Sequence, residues 1–247
     1  MRHSGDKQLR LTMAVSVTTF LIVATSFMAN VYAAGNDDSN QKEIGAWGIN
    51  NYSGNPNFPS LIYMVSDAIG FYSWLTQKGF TGRFLKTDNY ALESHFEKAS
   101  VGGQDSSYAD ACDFVYFAGH GTYDAFHFGT SNDNNAYPRQ VHYTEADWGD
   151  QDLEWIFLAS CHVLEQLPME WDLAFHSPKT LHGMTGFNTH RIDSSGIGVW
   201  FARYLTGSGP PDDPGPYSMK EAWKKAVYKD GYQAFEWAAA YAVVVVC

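Results

Sequence analysis

The stretch DFVYFAGHG, residues 113–121, and its counterpart DLEWIFLASCH, residues 152–162, decide how this chain is read. Each is an apolar run of strand length without polar alternation, the pattern of a strand covered on both faces of a sheet. Each also ends in a reactive side chain, His120 in the first and Cys161 in the second. In an open α/β sheet, sites are built outside the carboxyl ends of the strands. Neighbouring strands lie about 4.8 Å apart, so residues just past two adjacent ends can meet. A thiol is mostly protonated at neutral pH, with an ordinary pKa of about 8.5, and a nearby imidazole can take its proton. His120 and Cys161 are therefore the candidate base and nucleophile. Gly121 lacks a side chain, so its N–H can approach a bound carbonyl; with the N–H of Cys161 it would form an oxyanion hole.

Outward from these two runs, strands and helices alternate. Ile44 to Tyr52 reads as a first strand. Leu61 to Lys78 reads as a helix capped by Ser60 and closed by Gly79, with Ile62, Val65, Ile69, Tyr72 and Leu75 at helical spacing. A short strand over Gly82 to Leu85 and a helix near Ala91 to Ala99 precede the third strand, Phe114 to Ala118. Tyr123 to Gly129 suits a small hairpin arm, and Thr130 to Pro138 is a turn-rich loop. Leu153 to Ala159 is the fourth strand and Leu181 to Phe187 the fifth. A helix over Ser194 to Leu205, opened by Asp193-Ser194-Ser195, is followed by the loop Gly207 to Pro216. Ser218 caps a helix to about Lys229, and Ala234 to Val246 is a candidate last strand. The expected fold is α/β, a mostly parallel sheet flanked by helices on both faces.

An apolar strand ending in His-Gly, then a second ending in Ser-Cys, resembles the caspase, gingipain, legumain and clostripain group of cysteine peptidases. The order of His before Cys matches, and the 41-residue step from His120 to Cys161 is similar to the group's. An uncharacterised prokaryotic domain family with a GHG and an SC motif is more similar still. The resemblance is specific at FAGHG and LASCH and spans residues 44–246 in outline. It implies a caspase-like fold, His120 as general base, Cys161 as nucleophile, Gly121 as oxyanion donor, a peptide or protein substrate and no cofactor. The chain departs from the group two residues before the nucleophile. Members that cut after Lys or Arg often carry an acid there and caspases a Gln; here the residue is Ala159. His162, directly after Cys161, has no counterpart in the pattern.

The N-terminus reads as an address. Arg2, Lys7 and Arg10 precede the uncharged Leu11 to Ala29, and Val31-Tyr32-Ala33 suits a cut after Ala33. The apolar stretch is close to the length of a membrane span, about 20 residues, so a retained anchor is the alternative. Either places the rest outside the cytoplasm, and only the anchor would involve a membrane. Residues 34–43 form a polar spacer, and the domain occupies 44–247. The abrupt AVVVVC end suggests a truncated domain. The content is 45% hydrophobic and the formal net charge −11, which suits a globular chain and repels nucleic acid. Three cysteines, Cys112, Cys161 and Cys247, make no disulfide framework for an exported protein.

Other readings stay in view. A non-catalytic binding or surface protein could use the same scaffold. His120, His127, His142, His162, His176, His182 and His190 raise a metal-dependent hydrolase, but no pair has the spacing of a helix-borne metal motif, and no metal ligand is assigned. The tryptophans, Trp148, Trp155, Trp171, Trp200, Trp223 and Trp237, are read as core.

Overall fold

The computed structural model describes residues 41–132, 135–165, 171–175, 181–230 and 240–244. The N-terminal address, most of the polar spacer, His176, Trp237 and Cys247 lie outside them. Among the described residues no helix is long and apolar enough to cross a membrane.

Eight strands form, in chain order, β1 (Glu43–Gly48), β2 (Thr81–Thr87), β3 (Phe114–Ala118), β4 (Ala125–His127), β5 (Gln140–His142), β6 (Trp155–Ala159), β7 (Gly183–Phe187) and β8 (Ala240–Val244). Six of them make one sheet in the order β2-β1-β3-β6-β7-β8. Its first five strands run parallel, and β8 pairs antiparallel with β7. The fold is α/β, as the two apolar runs imply: β3 and β6 are neighbours in the middle of the sheet, in register from Phe114 opposite Trp155 to Ala118 opposite Ala159. The chain goes from β1 to one edge and returns past β1 to β3, so strand order reverses between β1 and β3.

Helices cover both faces, of two different kinds. Three α-helices, α1 (Met64–Gln77), α2 (Ile197–Leu205) and α3 (Met219–Lys229), pack on one face. Phe71, Phe201 and Trp223 meet Ile44, Ala46, Tyr116 and Phe157 of the sheet there. The opposite face carries Trp47, Val115, Phe117, Ile156 and Leu158. It is closed by short 3-10 turns and by the antiparallel β4–β5 arm, through Phe96, Ala109, Phe126, Val141, Trp148 and Trp171. Trp148 and Trp223 are fully buried and Trp171 nearly so, as expected of core residues, whereas Trp155 and Trp200 are only partly buried against the core of the helical face.

Several local expectations shift. The segment expected as a helix near Ala91 to Ala99 forms 3-10 turns at Glu93–His95 and Ala99–Val101 instead. Tertiary partners take its polar groups: the Trp148 indole donates to the Phe96 carbonyl at 2.8 Å, and the Trp47 indole donates to His95 Nδ1 at 3.1 Å. Helix α1 begins at Met64, not Leu61, because Asn50 Nδ2 donates to the Ile62 carbonyl at 2.8 Å and Asn50 Oδ1 accepts the Val65 N–H at 3.0 Å, while the Asp193 carboxylate accepts the N–H groups of Ile62 at 2.7 Å and Tyr63 at 3.0 Å just ahead of the helix. Its buried stripe is then Met64, Ala68, Phe71 and Leu75, and Ile62 and Ile69 face solvent. Ser60 does not cap it; its hydroxyl accepts from the Tyr52 N–H. Asp193 thus serves α1 rather than the helix that follows it in sequence, and α2 starts at Ile197. Gly79 does close α1 with φ +92, and Ser218 does cap α3 by accepting from the Glu221 N–H. In the hairpin arm, β4 falls within Tyr123 to Gly129 as expected, and its partner is β5, beyond the turn-rich loop.

Candidate active site

His120 and Cys161 each stand two residues beyond the last paired positions of β3 and β6, Ala118 and Ala159. They therefore occupy equivalent places at the carboxyl edge of adjacent parallel strands, beside the point where strand order reverses. The close approach of the two ends is set by Gly121. A Cβ there would lie 2.6 Å from the Cys161 carbonyl oxygen and 2.8 Å from Ser160 Cβ. The Gly121–Phe126 bridge consumes the N–H groups of Thr122 and His127, which donate to Ala125 O and His120 O, and leaves that of Gly121 out of the pairing.

The segment after β1 supplies the walls around the imidazole. Tyr52 packs edge-on against the His120 ring at 4.6 Å between centroids, and Phe58 stacks on it at 4.8 Å. The buried Tyr52 hydroxyl accepts the His120 N–H and donates to His127 O, both at 2.9 Å. His120 Nε2 lies 2.8 Å from the Pro59 carbonyl. A carbonyl can only accept, so Nε2 carries the hydrogen and the neutral ring keeps its lone pair on Nδ1. Burial pushes the His120 pKa down, against the Pro59 hydrogen bond and the Asp193 charge. The ring is thus held neutral near pH 7, the form a base requires.

The loop after β7 supplies the surroundings of the thiol. The Arg191 N–H donates to Cys161 Sγ at 3.1 Å, and Sγ lies 3.8 Å from Arg191 O. Cys161 is partly exposed, whereas Cys112 is buried and desolvation pushes its thiol well up. Behind the loop, the Arg191 guanidinium pairs with Asp67 Oδ2 of α1 at 2.6 Å, with both side chains almost wholly buried. Asp67 also accepts from Tyr116 Oη at 2.7 Å and the Gly198 N–H at 2.7 Å. Burial raises the Asp67 pKa, and these three donors oppose it.

Other histidines go to local partners. His162 adopts φ +59, places Nε2 3.2 Å from His190 Nδ1 and pairs with Glu165. His127 faces Thr122 and His142 faces Thr144. Among the described residues, no group of three or more His, Cys, Asp or Glu side chains is arranged to hold a metal ion.

A family model for a domain of unknown function, DUF6345, matches residues 46–245. The chain belongs to the DUF6345 family. A comparison with curated protein sequences gives no match. Among solved structures, the Arg-specific cysteine proteinase gingipain R is similar at 16% identity with a TM-score of 0.47. That match covers 84% of this chain and 49% of the gingipain chain, so the DUF6345 protein spans about half of that length. Protein GSU0716 from Geobacter sulfurreducens is similar at 12% identity and the same TM-score, over 84% of this chain and 95% of the other.

In this DUF6345 domain the three site residues named from sequence, His120, Gly121 and Cys161, stand just beyond neighbouring strand ends. The sequence reading missed Tyr52, Phe58, Pro59 and Arg191. Tyr52 and Pro59 act on His120 through a hydroxyl and a carbonyl, and Arg191 reaches Cys161 through its amide. None of these contacts has a spacing signature, although Arg191, a lone cation in a polar loop after an apolar strand, was visible.

Proposed function

We propose that this protein is an exported cysteine peptidase-like enzyme that hydrolyses peptide bonds through a dyad of Cys161 and His120. The observation that carries the reading is the equivalent placement of the two residues beyond adjacent strands β3 and β6, with the imidazole held so that Nδ1 keeps its lone pair. The motif resemblance at FAGHG and LASCH supports it. In this reading His120 takes the proton of Cys161, the thiolate attacks a peptide carbonyl, and the amides of Gly121 and Cys161 hold the oxyanion. His120 returns the proton to the leaving amine, and water then releases the acyl group. Export follows from the N-terminal address, with a retained anchor as the alternative.

A non-catalytic binding protein on the same scaffold is the second reading. It is favoured by the hydrogen bonds that engage the thiol with Arg191 and the imidazole with Pro59, rather than with each other. Mass-spectrometric mapping of a small electrophilic thiol probe separates the two. Fast labelling of Cys161 near neutral pH that slows in His120→Ala, together with peptide cleavage lost in Cys161→Ala, supports the peptidase. Slow labelling of Cys161, indifferent to His120, supports the binding protein. Cleavage retained by Cys161→Ala refutes the dyad.

A further inference from the structure

Arg191 occupies two places at once. Its guanidinium, 2% exposed, ties together α1, β6 and its own loop. Nη2 reaches Asp67 Oδ2 in α1 at 2.6 Å and Ser194 O in its own loop at 3.2 Å. Nη1 reaches Ala159 O at the end of β6 at 3.3 Å, and Met64 Sδ in the first turn of α1. Through Asp67 the same cluster holds Tyr116 of β3 and the first turn of α2. Its backbone N–H, meanwhile, points at Cys161 Sγ, two residues beyond the Ala159 carbonyl that its side chain grips. The loop is thus fixed to β6 at both ends of a short lever, one of them at the sulfur.

We infer that Arg191 is a positioning residue whose buried pair with Asp67 holds its own amide on the Cys161 sulfur and so favours the thiolate. The inference rests on the reading of Cys161 as a nucleophile. A hydrogen bond to an ionised acceptor is roughly twice as strong as one to its neutral form, so a donor fixed at the sulfur acts on the anion more than on the thiol. The donor is a peptide amide and the guanidinium stays protonated, so of the groups that hold the donor in place only the Asp67 carboxylate titrates. Of the titratable groups around Cys161, Tyr52 beyond β1 interacts with it electrostatically and His120 stands at the equivalent place beyond β3; His162 adjoins it in sequence, and the loop that bears Arg191 also carries His190 and Asp193. The buried pair adds no donor of its own at the sulfur.

The test is the pH dependence of Cys161 alkylation by iodoacetamide in the full chain, with buried Cys112 as an internal control. Arg191→Met removes every guanidinium contact and should raise the midpoint by a full pH unit or more, a tenfold slower reaction below it. Arg191→Lys keeps the charge without the fork and should fall between. Where a lone buried charge prevents folding, the double variant Asp67→Leu with Arg191→Met removes both charges at once and should still fold. It should show the same upward shift with a cooperative melt. An unchanged midpoint in that folded variant overturns the inference. His120→Ala separates this from the proposed function. Dependence on His120 without dependence on Arg191 refutes only the positioning role. Dependence on Arg191 without dependence on His120 refutes the dyad and keeps the role of the amide.

Discussion

Gly121→Ala tests the closeness of the two strand ends most directly. The added methyl would stand 2.6 Å from Cys161 O, 2.6 Å from Val163 Cγ1 and 2.8 Å from Ser160 Cβ. Relaxed carbon contacts lie at roughly 3.5–4.0 Å, so each approach is short by about 1 Å. Val163 can rotate its methyl away, but a carbonyl oxygen and a Cβ move only with the backbone. The ends of β3 and β6 must therefore part. Overpacking of this kind costs about 1–3 kcal/mol, and backbone obstacles place this case near the top of the range. For a domain of this size about 3 kcal/mol lowers Tm by roughly 6–12 °C. The functional loss is larger in proportion, since a displacement of about 1 Å costs on the order of 100-fold in a positioned reaction. Thermal melting and Cys161 labelling read the two effects separately. Gly79→Ala is the control. Nothing lies within 4 Å of its Cβ, and only its φ of +92 opposes the change, so it should cost about 1–2 kcal/mol and leave labelling alone. A Gly121→Ala protein that melts and labels like the parent would refute the argument that the two ends are in contact.

Tyr52→Phe removes a hydroxyl that satisfies two buried backbone groups, His120 N–H and His127 O, and should cost about 2–4 kcal/mol in chemical denaturation. Asp193→Ala uncovers the N–H groups of Ile62 and Tyr63 and should cost about 1 kcal/mol, while Asp193→Asn retains part of it. Burial pushes His95 and His127 down to about 4, so NMR titration should find both rings neutral until near that pH. Because their folded pKa values lie below the unfolded one of about 6.5, their share of stability is complete above it and is lost as pH falls toward 4. A ring that titrates near 6.5 in the folded protein would contradict its placement.

The central strands were legible because Phe114–Ala118 and Trp155–Ala159 carry side chains that are apolar on both faces, a pattern no surface element shows. The same logic located His120 and Cys161, since a strand end is a place that sequence can mark. The start of α1 was not legible. Its first turn is capped by Asn50 through the Val65 N–H, and the residues ahead of it are held by Asp193, 130 residues beyond Tyr63; partners borrowed from outside the segment leave no local signal. The turns around Glu93–His95 were hidden for a related reason: the segment has helical composition, yet the indoles of Trp47 and Trp148 claim its polar groups. The surroundings of the candidate dyad rest on a carbonyl, a hydroxyl and a backbone amide, and backbone groups are common to every residue.

The unequal faces of the sheet bear on how the molecule is assembled. Strand β1, helix α1 and strand β2 are consecutive, so one edge and its helical cover can close over short stretches of chain. The opposite face has no such shortcut. Its turns and the β4–β5 arm come from long excursions between sheet strands, and contacts between distant residues form slowly. His120 opens one such excursion, and Cys161 follows the strand, β6, that the excursion leads to. A nascent chain can therefore gather β1, α1 and β2 before its imidazole and thiol share an environment, whereas α2 and α3, C-terminal to Cys161, join the helical face later, and chemistry that needs both groups waits until β6 has paired with β3.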